Sequence, residues 1–144
     1  MNGLKFGIES AVEEVRDSVS RFSVTNDKQK LIIDKIKRAG IKTVGMFILA
    51  QPADTRETCL ETIDYACSLN LDVAQFSIFT PYPGTPYYKK NISKVKNLEF
   101  QNFNQYQLVY EHDSIDEIEA RELLESAYKK FIVSKFKNIF SRSN

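Results

Sequence analysis

This chain is poor in the residues that hold metals. Its 144 residues include two cysteines, Cys59 and Cys67, and a single histidine, His112. The cysteines fall eight apart on one predicted helix, which at ~1.5 Å rise per residue separates them by ~12 Å. Bridged Cα atoms lie within ~7 Å, so a disulfide would require that helix to unwind. Neither thiol has metal-ligand spacing, and both read as buried helical packing. The chain by itself therefore presents no metal site. Charge of one sign is also lacking: 20 Lys and Arg against 19 Asp and Glu leave +1. That balance gives no electrostatic argument for nucleic acid or for an anionic membrane. No apolar run approaches the ~20 residues needed to span a bilayer, and no signal peptide precedes the first strand, so the expected compartment is the cytoplasm.

What is present is a repeat of strand, polar loop and helix. Leu4 to Glu9 reads as a strand ending on a carboxylate, with a short helix from Val12 to Val19. A helix over Asp27–Ala39 follows, capped by Thr25 or Asn26 and ended by Gly40 in the left-handed region. Leu31, Ile32, Ile36 and Ala39 are its expected buried face. Thr43–Leu49 is apolar after its first residue, as strands buried on both faces or lining a barrel are. Asp54-Thr55-Arg56-Glu57 opens a helix, with Glu57 placed to reach back as a capping box. Val73–Phe79 is the third strand, and it runs into the locked loop Pro81-Tyr-Pro-Gly-Thr-Pro86. Residues 87–113 have no period and are rich in Tyr, Phe, Asn and Gln; they read as an ordered aromatic cover. Ser114-Ile-Asp-Glu117 is a second capping box, and a long helix to Phe140 follows. Its Phe131, Ile132, Phe136, Ile139 and Phe140, set among lysines, read as a stripe packed on the sheet or a partner, with a membrane surface as the alternative.

Repeated β-α units predict an α/β fold with a parallel sheet, and ligands gather at the carboxyl ends of such strands. Three parallel strands are too few to close a barrel and leave edges unpaired. The expected division is residues 1–90 for the β-α units and 91–144 for a C-terminal extension.

Six motifs in order carry a family resemblance. They are Gly7-Ile8-Glu9-Ser10, Arg21, Ala39-Gly40-Ile41, Gly45 through Pro52, Asp54-Thr55 and Pro81 through Pro86. Together they resemble the C-terminal half of the radical S-adenosylmethionine domain, in the branch whose members often carry an N-terminal cobalamin-binding domain. The resemblance implies a partial TIM barrel of six units, of which these strands are the fourth to sixth. It implies that S-adenosylmethionine lies across their carboxyl ends, on Glu9, Ser10, Arg21, Ile48, Gln51, Phe79 and Thr80. Glu9 would accept from the ribose hydroxyls or the methionyl ammonium, and Arg21 would pair with the methionyl carboxylate. Ile48 would pack on the adenine face, and the backbone around Phe79 and Thr80 would bond its edge.

In that family three cysteines in a C-x3-C-x2-C loop after the first strand hold a [4Fe–4S] cluster, which reduces the sulfonium. No such loop occurs in this sequence, and the first three units are expected to be absent. Catalysis is then expected only with an N-terminal half, paired along the exposed strand edge; self-association through that edge is the alternative. Cobalamin dependence stays open, since its domain would lie upstream. Three residues depart from the pattern: Ala50 and Ala53 replace expected glycines, which permit positive φ and close backbone approach, and Gln51 replaces an aliphatic residue. The Ala50 and Ala53 changes, with the missing cysteine loop, favour a second reading, a degenerate or non-catalytic fragment acting as a partner-binding module. A third, an unrelated nucleotide-binding domain, lacks any phosphate loop such as G-x-G-x-x-G. An upstream reading frame encoding the cysteine loop would favour the first reading.

Overall fold

The computed structural model describes residues 3–19, 24–96 and 99–141. Three strands, β1 (Gly3–Glu9), β2 (Lys42–Leu49) and β3 (Val73–Ile78), alternate with helices α1 (Glu13–Ser18), α2 (Asn26–Arg38) and α3 (Arg56–Ser68). A short helix α4 (Pro86–Lys90), two 3-10 turns and the long helix α5 (Glu117–Ser141) complete the chain. The segment expected to be irregular is thus partly helical. At its start, Thr85 caps α4 by accepting from the Tyr88 N–H at 3.3 Å, and Pro86 opens the first turn.

The strands pair in the order β1-β2-β3, all parallel, with Val44 opposite Val73 and Phe47 opposite Phe76. One face is dry. Ile8, Phe47, Leu49, Phe76 and Ile78 share a single buried cluster with Ile33 of α2, Ile63 and Ala66 of α3, and Leu123, Ala127 and Phe131 of α5. All these helices therefore cover the same side of the sheet. On the other face Lys5, Gly7, Val73 and Gln75 are exposed, while Val44, Met46 and Ile48 are half-buried. Of the two settings expected for β2, burial on both faces gives way to this one-sided alternation. Residues on either side of position 90 build the one core, since Leu108, Tyr110 and Ile115 belong to it as well.

Two close approaches organise that core. A Cβ on Gly45 would lie 2.5 Å from Leu71 Cδ1, so only glycine lets the β2 backbone come this near the residue leading into β3. The Phe76 ring stacks on Phe47 at 5.3 Å and meets Tyr128 and Phe131 edge-on at 5.3 and 6.4 Å. Tyr128 Oη also donates to the Phe76 carbonyl (2.9 Å) and accepts from its N–H (3.1 Å). One hydroxyl thereby satisfies the outward backbone groups of an edge strand. Further along, the Ile78 N–H donates to Gln105 O at 2.7 Å. The β3 edge is covered; on the β1 edge Gly3, Leu4 and Lys5 are exposed.

Several local expectations shift. The inward stripe of α2 is Gln29, Ile33 and Lys37, bonded to Tyr65, the core and Asp72 respectively. Leu31 and Ile32 are 54% and 37% exposed. Thr55 caps α3, and its reciprocal partner is Thr58 rather than Glu57. At α5 the capping oxygen is Asp116 Oδ1, which accepts from the Glu119 N–H at 2.8 Å, rather than Ser114. Gly40 does take the left-handed turn, at φ +76°. Cys59 and Cys67 are free thiols on α3, buried and half-buried. Phe131 is buried while Ile132 and Phe136 are exposed; the side chains of Ile139 and Phe140 fall outside the described residues. No helix among the described residues is long and apolar enough to cross a membrane.

Asp72 ties the start of β3 to β2 and α2. It accepts from Lys37 Nζ (2.7 Å), the Thr43 N–H (2.8 Å) and Thr43 Oγ1 (3.1 Å). Burial alone would raise its titration, but the lysine and the Thr43 donors outweigh that and hold it well below the usual carboxylate range. A depressed folded value means stability present above about pH 4 and lost as pH falls below it. The urea midpoint of the wild type should exceed that of Asp72→Asn at pH 7, and the gap should narrow steadily as pH falls from about 4 towards 2. Equal midpoints at pH 7 would remove Asp72 from the acid-sensitive set.

Candidate functional site

The carboxyl ends of the strands are held in unusual backbone conformations. At the end of β1 the Ser10 N–H donates to the Ile8 carbonyl at 3.0 Å, closing a tight turn centred on Glu9 at φ +68°. The pairing with β2 slips at the same point, between Gly7 and Glu9. A left-handed non-glycine residue is strained by ~1–2 kcal/mol, and such strain gathers at functional sites. The turn folds the Glu9 carboxylate over Gly7, where a Cβ would lie 2.8 Å from Oε1. Glycine at position 7 is what lets the carboxylate rest there. At the amino end of α1 the Val12 N–H donates to Ser10 Oγ at 3.1 Å.

Behind the turn the backbone is fixed by buried polar groups. Arg16, 2% exposed, donates from Nη1 to the Ser10 carbonyl at 2.6 Å, and Asn26 Nδ2 donates to the Ala11 carbonyl at 2.9 Å. Ser10 Oγ and Thr62 Oγ1 lie 3.0 Å apart. Ser10 is therefore fully buried against α3 and does not reach the open rim.

The end of β2 is pinned from several directions. Ala50 sits at φ +54°, the left-handed conformation for which glycine was expected. Alanine holds it because its neighbours fix both its backbone groups. The Ala50 N–H donates to Cys59 Sγ at 3.4 Å, and its carbonyl accepts from Tyr110 Oη at 2.7 Å. The Gln51 N–H donates to Asp54 Oδ2 at 2.8 Å, and the Gln51 carbonyl lies 2.8 Å from His112 Nε2. His112 Nδ1 accepts from the N–H groups of Ser114 and Ile115, so Nε2 carries the proton and donates. Burial raises the titration of Asp54, against the opposing pull of Thr58 and the Gln51 N–H. Burial likewise pushes the Tyr110 hydroxyl well up, and keeps it a donor.

Between these strand ends lies a cavity of about 530 Å³, of a size that takes a drug-sized ligand. Glu9, Ile48, Gln51, Phe79 and Thr80 all line it, with Tyr87 and Lys90 of α4 opposite. The Phe79 and Tyr87 rings meet edge-on at 5.2 Å, and Tyr110 backs Phe79 at 5.7 Å. The Phe79 N–H is already committed to the Leu49 carbonyl at 2.8 Å and is not offered to a ligand. Arg21 lies outside the described residues. Tyr87, Lys90, Tyr110, His112 and Arg16 escape a reading of the sequence, because four of them fall in the aperiodic aromatic stretch or the short helix beside it. Arg16 could have been suspected from its place one turn into a helix that follows a strand end.

The lining suits an adenosyl ligand: a carboxylate, an aliphatic side chain and aromatic walls. It does not suit an iron–sulfur cluster. Among the described residues no group of three or more His, Cys, Asp or Glu could hold a metal, and burial pushes the Cys59 thiol far up, away from the thiolate.

These features define an α/β domain with a cavity at the carboxyl rim of a parallel sheet. No family profile matches the chain. Among known proteins it is 39% identical over 80 residues to the uncharacterized methyltransferase PH0819 of Pyrococcus horikoshii, covering 56% of this chain and 17% of that protein. It is 28% identical to the anaerobic magnesium-protoporphyrin IX monomethyl ester cyclase of Rubrivivax gelatinosus, over 92% of this chain and 24% of the cyclase. A match of 22% covers 75% of the chain and 24% of the bacteriochlorophyllide d C-12(1)-methyltransferase of Chlorobaculum tepidum. The chain thus spans 17% to 24% of the length of these relatives. The similarity is consistent with a radical S-adenosylmethionine-related domain, and the cyclase match reaches well past residue 90.

Proposed function

We propose that this chain is a C-terminal portion of a radical S-adenosylmethionine enzyme, forming the part of a six-unit barrel that holds the adenosyl group. The observation that carries the reading is the cavity at the strand ends, where Glu9, Ile48, Gln51, Phe79 and Thr80 converge beside two left-handed turns. Glu9 accepts from the ribose hydroxyls or the methionyl ammonium. Ile48 packs on the base, with Phe79 and Thr80 at its edge, and Arg21 pairs with the methionyl carboxylate. Bound there, S-adenosylmethionine supplies the adenosyl group for one-electron chemistry begun by a cluster on another segment. The chain's own share is to bind and orient, so it is inactive alone.

The partner follows from the edges. With β3 covered by Tyr128 and Gln105, an N-terminal half adds its strand to the exposed β1 edge. The relatives' names speak of methyl transfer and of protoporphyrin ester cyclisation; which of these the whole protein performs is set by segments other than the rim described here. The second reading, a partner-binding module without a cofactor, rests on the same open edge.

Titration of the 144-residue chain with S-adenosylhomocysteine, followed by calorimetry and thermal melting, tests the first reading. A ligand at 100 times its Kd stabilises by about 2.7 kcal/mol, a shift of several degrees. Saturable binding with a rising melting temperature is expected. Absence of both at millimolar ligand would leave the partner-binding reading.

A further inference from the structure

The strand-end cavity adjoins an outer chamber of about 290 Å³, and Ser18, Tyr87 and Lys90 line both. Tyr87 and Lys90 stand three residues apart on α4, so their side chains share one face of that helix. The half-buried Tyr87 ring meets Phe79 edge-on at 5.2 Å and Tyr110 at 6.3 Å. Burial raises the titration of its hydroxyl, while Lys94 and Asp113 of the outer chamber pull it in opposite directions, so it stays a donor at neutral pH.

Two donors meet at this junction without an acceptor. Neither the Lys90 ammonium nor the Tyr87 hydroxyl has a hydrogen-bond or ion-pair partner among the described residues. Lys94 is already paired with Asp113 at 3.0 Å, and Lys90 pairs with neither Glu9 of the inner wall nor Glu111 of the outer one. An ammonium offers three donors and no acceptor, and bonds to a charged oxygen are the strong ones for it and for a phenol alike. We propose that the junction is an anion site: Lys90 and Tyr87 together hold the carboxylate of a small organic acid that enters through the outer chamber. Phosphate shares the chemistry of that contact, but Glu9, Glu111 and Asp113 on the surrounding walls repel a dianion more than a monoanion, which favours the carboxylate. The site does not depend on what fills the inner cavity. Where that is an adenosyl group, the acid is the second ligand, held beside it.

The test titrates the 144-residue chain with phenylacetate, phenyl phosphate and neutral phenylacetamide, followed by NMR of the backbone amides. Phenylacetate should bind saturably, moving the signals of Tyr87, Lys90 and Asn91, and more tightly than either of the other two. Lys90→Gln should weaken it by about tenfold or more, and Tyr87→Phe by about twofold to tenfold. Asp113→Asn frees Lys94 and should tighten it severalfold. Lys89→Gln, which changes an exposed lysine on neither cavity wall, should leave it unchanged. Equal losses for Lys89→Gln and Lys90→Gln would reveal only a general attraction to surface lysines and overturn the proposal. So would tighter binding of phenyl phosphate or of the amide, or the absence of any saturable shift. Saturating S-adenosylhomocysteine should leave phenylacetate bound; mutual exclusion would give Lys90 to that ligand's own carboxylate and overturn the second-ligand site. Failure of S-adenosylhomocysteine to bind removes the adenosyl reading and leaves this site to stand or fall on phenylacetate.

Discussion

Glu9→Gln should weaken binding of S-adenosylhomocysteine by about ten- to a hundredfold, while Glu9→Gly should abolish measurable binding without lowering the melting temperature. The first expectation follows from the charge. A hydrogen bond to an ionised group contributes about 1.5–3 kcal/mol, and about 1.4 kcal/mol is tenfold in affinity. The second follows from the backbone. Glu9 holds φ +68° without the freedom of glycine, so replacing it by glycine relieves strain of ~1–2 kcal/mol. That relief offsets the ~0.4–1 kcal/mol by which glycine favours the unfolded chain. Calorimetry on each variant, paired with thermal melts, separates the two effects. Were Glu9 only a structural residue of the β1 turn, both variants would lose stability and keep whatever affinity the wild type has.

Phe76→Ala should remove about 3–5 kcal/mol of folding stability. The ring stacks on Phe47 and meets Tyr128 and Phe131 edge-on, with no exposed area, so its loss leaves a void that three other rings cannot fill. Domains of this size hold about 5–15 kcal/mol in total, and the variant should be substantially unfolded at modest urea. Phe76→Leu, nearer in volume, should lose under about 2 kcal/mol. Urea denaturation followed by circular dichroism measures both. A small loss for Phe76→Ala would mean that the sheet and α5 are not one cooperative unit.

The strands were legible because their signal is local. Thr43–Leu49 and Val73–Phe79 are short apolar runs bounded by turn residues, and both appear within one residue of the expected bounds. The faces of α2 were not, because Leu31-Ile32-Ile33 offers three candidates to any helical period. The choice of Ile33 is made by Tyr65 and Asp72, which bond Gln29 and Lys37 on the same stripe from 36 and 35 residues away. Caps failed in a related way. Both candidate boxes are crowded with competent acceptors, and the helices start one and two residues later, on Thr55 and Asp116.

At the site, the motif order brought Glu9, Ile48, Gln51, Phe79 and Thr80 to one cavity wall, because strand ends in a parallel sheet converge whatever the loops do. Ser10 was misplaced by adjacency. Being next to Glu9 across a left-handed turn sends its hydroxyl to Thr62 instead. The substitution of Ala50 for glycine counted toward a degenerate fragment, yet the positive φ persists, because Cys59 and Tyr110 fix the peptide groups on either side. Tyr110 and His112 could not be assigned from spacing, since their partners are 60 and 61 positions earlier.

That separation has a consequence for how the molecule is made. The β2 rim emerges from the ribosome long before the tyrosine and histidine that clamp its carbonyls. Until they arrive, the loop bearing Ala50 and Gln51 has no reason to hold its left-handed turn. The strand-end cavity is thus a late product of synthesis, finished only when the segment bearing Tyr110 and His112 docks.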